Sequence, residues 1–342
     1  MKTMKAAVVH SWGTMDIDTV PVPEPVADEA LIKLLYCGIC GSDIHVYKGE
    51  HPTARPPCPM GHEMIGIVER INSERKLPFK IGDRVAMHSE NCGRCEFCLE
   101  GNANQCRTRT GTQRLSAGFA QYMTRQVSCI APLPPHIPDE VATLTEPFTV
   151  AVRTTDRSGL RIGDTVCIVG SGNIGFVIAL MCREKGASNV VITGHAKERL
   201  DFAKAYGFET IDQTQTDLES RIMEITDGRG VDVTIDASGS VKGMQITPRI
   251  TCVEGTIVSL SVGLPLDVFD TGLIALKELT IIGSRAHHFR EMQRAVIFMD
   301  NFCKRYDLRN LISNILPLDD VKTGFDMMVE KRSAGKIIIK CN

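Results

Sequence analysis

No stretch of the 342-residue sequence approaches the length a membrane-spanning helix requires. The start, Met1-Lys2-Thr3-Met4-Lys5, leads into only a short apolar run, Ala6–Val9, less than the hydrophobic region of a signal peptide needs. The expected compartment is therefore the cytosol, with no membrane partner. Long runs of one charge sign are missing too, and the net charge is −2, so a nucleic-acid groove is not expected. A disulfide framework is also excluded, because thirteen cysteines in a cytosolic chain of this size are metal ligands or buried thiols.

What is present fits two domains of ordinary size, with 43% apolar residues and 23% charged ones. The chemistry concentrates in Cys37-Gly38-Ile39-Cys40-Gly41-Ser42-Asp43-Ile44-His45 and in Gly61-His62-Glu63. A thiolate, an imidazole and carboxylates brought together make a zinc site, and a hydroxyl two residues after the thiolate can carry a proton. A second set follows in Cys92-Gly93-Arg94-Cys95-Glu96-Phe97-Cys98 and Cys106. Four thiolates from one lobe close a tetrahedron around Zn²⁺ with no open position, which makes that site structural. Its acidic flanks, Glu90, Glu96 and Glu100, argue against a nucleic-acid zinc ribbon.

The first third reads as β-rich, with strands over Ala6–Val9, Ala30–Leu35, Ile65–Ile71 and Val85–Met87 and another at Ala117–Tyr122. A barrel-like antiparallel domain with metal ligands on its loops is expected. Glu146 lies in the apolar segment from Thr143 onward. It is either a near-metal carboxylate or a helix N-terminal acid before Pro147.

From about residue 155 strands and helices alternate: Thr165–Val169, a helix over Ile174–Lys185, Val190–Thr193, a helix over Lys197–Tyr206, a helix over Asp217–Asp227, then Val231–Asp236, Thr256–Ser261 and Leu279–Ile282. Such alternation predicts an α/β unit, a doubly wound parallel sheet. Gly170-Ser171-Gly172-Asn173-Ile174-Gly175 falls between the first strand and its helix, where a helix N-terminus holds a pyrophosphate. Gly170, Gly172, Asn173, Ile174 and Gly175 are thus coenzyme candidates. At the end of the second strand the acid that would bind a ribose hydroxyl is missing, and the residues are Gly194-His195-Ala196-Lys197 followed by Arg199. His195, Lys197 and Arg199 can neutralise a 2′-phosphate, which favours NADP; NAD is the alternative if Lys197 and Arg199 are merely solvated. Gly194→Asp is then expected to turn preference toward NAD. Ser238-Gly239 and Val262-Gly263 follow later strands, where nucleotides bind.

Taken together and in this order, these motifs, with Glu146-Pro147 and the closing Gly335-Lys336-Ile337-Ile338, resemble the zinc-dependent medium-chain dehydrogenases of the alcohol and polyol (sorbitol-type) family along the whole chain. The resemblance implies a GroES-like catalytic domain over 1–150 and 300–342, with a Rossmann domain at 151–299 between. It makes Cys40, His62 and Glu63 catalytic zinc ligands, with Glu146 at or beside the fourth position. Ser42 would stand next to the substrate oxygen, Asp43 would orient His62, and His45 would continue the proton path. Arg285 and Lys336 would reach cofactor or substrate, unless they are surface charges. His287-His288 reads as solvated or at an interface. Phe148 and Arg153 stand where relatives usually carry Leu and His.

The implied function is hydride transfer between NAD(P) and a secondary alcohol, a polyol or sugar-derived alcohol, or its ketone. A simple or amino alcohol is the alternative, and a dinucleotide-binding structural or regulatory protein the non-enzymatic one. Two zinc ions per chain and a homo-oligomer, dimer or tetramer, are expected, with Thr256–Leu266 as a candidate edge strand.

Overall fold

The computed structural model describes residues 2–50, 55–107, 117–260, 269–330 and 332–342. The chain divides into two compact units, one formed by Met1–Thr149 with His287–Asn342 and the other by Val150–Ala286. The return to the first unit comes at His287, earlier than residue 300. The reason is packing: the helix Phe289–Phe302 buries Met292, Met299 and Phe302, and the Phe302 ring lies 5.4 Å from that of Phe148.

The first unit is built on a mixed sheet. Among the described residues its strands run, in spatial order, Ile312–Pro317, Lys336–Lys340, Glu29–Gly38, Glu63–Asn72, Arg84–Met87 and Ile130–Pro132, with Tyr122–Gln126 also paired to Glu29–Gly38. Alternating apolar residues fill its core: Ile32 and Leu34 from one strand, Met64 and Val68 from the next, Ile337 and Ile339 from the C-terminal one. The antiparallel register sets Gly38 opposite Glu63 and Cys37 opposite Met64. This pairing brings the Cys37–Cys40 and Gly61–Glu63 segments together.

The second unit carries a parallel sheet of six strands among the described residues, ordered Glu209–Asp212, Asn189–Gly194, Thr165–Val169, Val231–Asp236, Thr251–Ser259 and Thr280–Gly283. Counted along the chain within this unit the order is 3-2-1-4-5-6, the Rossmann arrangement, whose crevice opens beside the first strand. Cys167, Val169, Val191 and Ile211 of three adjacent strands pack on Leu218 and Ile222 of the helix Leu218–Ile225.

Two expectations are corrected, and one element is added. The strand placed at Ala117–Tyr122 begins only at Tyr122, and Ala120 makes a lone bridge to Ala6. Of the candidate edge strand Thr256–Leu266, the described part belongs to Thr251–Ser259, which is flanked on both sides, and residues 261–266 lie outside the described residues; the edges of the described sheet are Glu209–Asp212 and Thr280–Gly283. A helix over Val241–Ile250 escapes the sequence pattern because it contains Pro248. Proline cannot donate to the carbonyl four residues back; the Thr247 hydroxyl donates to Met244 O at 2.8 Å instead. No described helix is long and apolar enough to cross a membrane.

Candidate metal and coenzyme sites

The cysteine lobe folds its four sulfurs onto one point, all within 4.8 Å of one another. Cys92 Sγ lies 3.9 Å from Cys98 Sγ, and Cys95 Sγ lies 3.5 Å from Cys98 Sγ and 3.9 Å from Cys106 Sγ. A zinc tetrahedron with bonds of about 2.3 Å has edges of about 3.8 Å, so these separations fit. The backbone N–H of Cys92 donates to Cys106 Sγ and that of Cys95 to Cys92 Sγ, both at 3.3 Å, as thiolates require. Burial and the neighbouring sulfurs push the Cys98 thiol up to about 12. A cation is what allows four neighbouring thiols to ionise together.

The second cluster joins Cys40, His62 and Glu63, again with ligand atoms within 4.8 Å. Cys40 stands at the N-terminus of the helix Gly41–Tyr47, where the Asp43 carboxylate accepts from Cys40 N at 2.9 Å. The other oxygen of Asp43 faces His62 Nδ1 at 3.3 Å, which orients the ring and leaves Nε2 for a metal. Desolvation works against a charged His62, yet the Asp43 and Cys40 charges outweigh it and hold the imidazole well above its ordinary value.

Glu63 is buried, and Lys336 Nζ donates to its Oε1 at 2.7 Å. Oε2 is as near that ammonium but has no aligned hydrogen bond, so this oxygen fits the role of a metal ligand. Lys336 also donates to Ile39 O at 3.1 Å and is itself buried. The surface-charge alternative is therefore corrected by its burial, and its observed partners are Glu63 and the Ile39 carbonyl.

Glu146 stands outside the three-residue group, at the start of the helix Thr145–Arg157. His287 Nε2 is 2.9 Å from its Oε1. Burial alone would push the carboxyl up, but the hydrogen bond and charge of His287 bring it down to about 2. The solvated reading of His287 is thus corrected: it is 4% exposed and wedged between Glu146 and His88, whose ring lies edge-on with centroids 4.7 Å apart. His288 caps the following helix. The isolated sequence carries no signal for the His287–Glu146 pair, which spans 141 positions.

Ser42 and His45 are exposed on the helix Gly41–Tyr47, three positions apart and so on one face. His45 Nδ1 is paired with Glu50 at 2.7 Å.

In the second unit the Gly-rich turn meets the crevice. Gly170 has a φ of +121°, and a Cβ there would lie 2.8 Å from the Ala237–Ser238 backbone. At Gly175 a Cβ would lie 2.0 Å from Gly170 O, so only glycine lets the helix Asn173–Glu184 start this close to the strand. Asn173 and Ile174 open that helix. Ser238 follows the strand Val231–Asp236 and donates its hydroxyl to Asp236 at 2.6 Å. Arg199 Nη1 lies 3.8 Å from where a Cβ on Gly172 would be, which puts the guanidinium beside the turn. His195 and Lys197 are exposed, and Lys197 pairs with Asp201 on its own helix. Asp212, opposite Gly194 on the next strand, is held below its usual range by hydrogen bonds from Thr214 and by the nearby charges of His195 and Lys197. Arg285 is exposed just beyond the strand Thr280–Gly283, and Val262 lies outside the described residues.

A metal-binding β-rich unit on the same chain as a Rossmann unit defines a class, the metal-dependent oxidoreductases that use a dinucleotide. The comparisons with known proteins narrow it. Residues 26–135 match the alcohol dehydrogenase GroES-like domain, and residues 173–301 match the zinc-binding dehydrogenase family. The chain is 33% identical to the D-arabitol-phosphate dehydrogenase of Enterococcus avium, over 100% of this chain and 98% of that relative. It is 34% identical to the L-threonine 3-dehydrogenase of Deinococcus deserti, over 96% and 95%. A solved structure of a zinc-binding dehydrogenase from Sinorhizobium meliloti 1021, bound to NADP, matches with a TM-score of 0.89 at 28% identity, covering 99% of this chain and 100% of that one. The chain belongs to the zinc-dependent medium-chain dehydrogenase family, and it is an NAD(P)-dependent oxidoreductase of alcohols.

Proposed function

We propose that the chain interconverts a polyol or sugar-derived secondary alcohol with its ketone, using NADP in preference to NAD and two zinc ions, one catalytic and one structural. The observation that carries the reading is the Cys40–His62–Glu63 cluster: three ligands, with a carboxylate oxygen not yet hydrogen-bonded, leave a tetrahedral position open. The four-cysteine lobe offers no such opening. Full-length similarity to a D-arabitol-phosphate dehydrogenase supports the polyol class. For NADP the support is Gly194 in place of an acid, with Arg199 beside the turn.

When bound, zinc supplies a Lewis acid that lowers the pKa of an alcohol, and the nicotinamide supplies the hydride acceptor. The protein's own groups do the rest. Ser42 Oγ accepts the alcohol proton and His45, on the same helix face, passes it to solvent. Asp43 keeps His62 oriented, and Lys336 holds one oxygen of Glu63 while the other turns to the metal. Glu146, ionised by its pairing with His287, adds a negative charge beside the cluster and stands ready as a fourth ligand. The Gly170–Gly175 turn presents its helix N-terminus to the pyrophosphate. The exposed edge strand Thr280–Gly283 supports a homo-oligomer, and the cytosol is the proposed compartment.

The test is a panel of polyols, sugar phosphates, simple alcohols and L-threonine, each assayed with both nicotinamides. Secondary polyols with NADP should give the highest kcat/KM, and L-threonine outpacing every polyol would overturn the substrate class. Ser42→Ala should leave coenzyme affinity unchanged and lower kcat by about 10²–10⁴-fold, the usual worth of a positioned proton acceptor. Unchanged kcat would remove Ser42 from the proton path.

A further inference from the structure

The buried ring of His287 is satisfied on one side only. Its Nε2 meets Glu146 Oε1 at 2.9 Å, while Nδ1 has no hydrogen-bond partner among the described residues. Buried polar atoms are nearly always paired, and one left unpaired costs its desolvation. A phenylalanine would keep the edge-on contact with the His88 ring without that cost. What the imidazole adds over a hydrocarbon ring is its single bond to Glu146.

The backbone is shaped to deliver that bond. Ala286, directly before His287, has a φ of +50°, a conformation that residues with a Cβ rarely adopt. His88 Nε2 donates to His287 O at 2.9 Å and so fixes the main chain on the other side. The helix that follows packs its Phe302 on Phe148, two residues after Glu146. Both partners of the bond are therefore tied to the same pair of packed helices.

Glu146 lies within electrostatic reach of His62, Lys336 and Glu63. The two carboxylates beside Cys40 and His62 are thus braced alike, by one oxygen each: Glu63 by Lys336 and Glu146 by His287. A buried hydrogen bond to one carboxylate oxygen limits where the other can turn, and such outer partners set the affinity of a metal site.

Resting on the catalytic-zinc reading above, we propose that His287 is a positioning residue for the metal: it holds Oε1 of Glu146 and thereby presents the remaining oxygen to the ion held by Cys40, His62 and Glu63.

The test loads the catalytic site of the full-length protein with Co²⁺ while the cysteine lobe keeps zinc. It reads the visible absorption of the cobalt and its affinity by competition with a chelator. His287→Phe should weaken Co²⁺ by about 10–100-fold, the usual worth of a ligand's outer partner, and change the visible bands. His287→Leu carries the same expectation in a smaller side chain. Glu146→Gln should weaken the ion at least as much and change the bands in the same direction. His287→Gln, whose amide can still donate to Oε1, should stay closer to the parent than the phenylalanine and leucine variants. His287→Phe with Glu146→Gln should match Glu146→Gln alone within about twofold, since the ring acts through the carboxylate.

A His287→Phe protein with a lowered melting temperature but parental Co²⁺ affinity and bands makes the histidine a packing residue and overturns the proposal. Additive losses in the double variant overturn it too. Cys40→Ala is the control for the reading beneath it. If that variant holds Co²⁺ as tightly as the parent, the catalytic-zinc reading falls and the proposal with it, whereas a parental His287→Phe beside an impaired Cys40→Ala overturns the proposal alone.

Discussion

Cys40→Ala should lower the zinc content from the proposed two atoms per chain to one and reduce turnover by about 10³-fold or more, while the melting temperature stays close to that of the parent. The thiolate is one of three proposed ligands whose donor atoms lie within 4.8 Å of one another. Its loss leaves an imidazole, a carboxylate already engaged by Lys336 and the Glu146 carboxylate already engaged by His287, a set without its thiolate that holds the ion far more weakly. A Lewis acid at the reacting oxygen contributes several kcal/mol to the barrier, and each 1.4 kcal/mol is about tenfold in rate.

Stability should survive because Cys40 is half-buried at a helix N-terminus, and the Asp43 carboxylate accepts its backbone N–H whatever the side chain. Cys98→Ala should behave the other way, also losing one zinc but with a large fall in melting temperature, since a closed four-thiolate site contributes to folding. Elemental analysis beside calorimetry separates the two. If Cys40→Ala keeps two zinc atoms and full turnover, the chemistry does not run through this cluster.

How much of this is legible in the sequence depends on how far apart the partners lie along the chain. The four-cysteine lobe and the Gly-rich turn are local: their spacing alone implies convergence, and the strand Thr165–Val169 before the turn gives its context. Cys40 and His62 can be matched through chemistry, but what surrounds them is written across strands. Gly38 looks like an ordinary turn glycine until the register sets it against Glu63. His287 looks like a surface residue until the chain returns to the first unit and seats it on Glu146. The same holds for Lys336: its burial against Glu63, which removes the surface-charge alternative, is a property of the sheet and not of its neighbours in the chain.

The register at Gly38 leads to the second large effect. A methyl group there would lie 2.2 Å from Glu63 Oε2 and 3.3 Å from the Glu63 Cβ and Cδ. The carboxylate cannot simply swing aside, because Lys336 Nζ fixes its other oxygen at 2.7 Å and the residue is 1% exposed. Gly38 has an unremarkable φ within a strand, so alanine costs the backbone little, and the conflict falls on the metal site. Gly38→Ala should therefore fold, lose about 1–3 kcal/mol of stability from overpacking, and bind the catalytic zinc about 10–100-fold more weakly, as loss of a ligand's support typically does. Turnover at limiting zinc should fall in proportion, while the cysteine lobe keeps its ion.

Shortening the partner tests the cause. Adding Glu63→Asp to Gly38→Ala withdraws the carboxylate by one methylene and should recover part of the lost zinc affinity, although Glu63→Asp alone weakens it. Competition with a chelator, followed zinc by zinc, reads both variants. A Gly38→Ala protein that holds its second zinc as tightly as the parent would mean that Glu63 reaches the metal by a path the glycine does not guard.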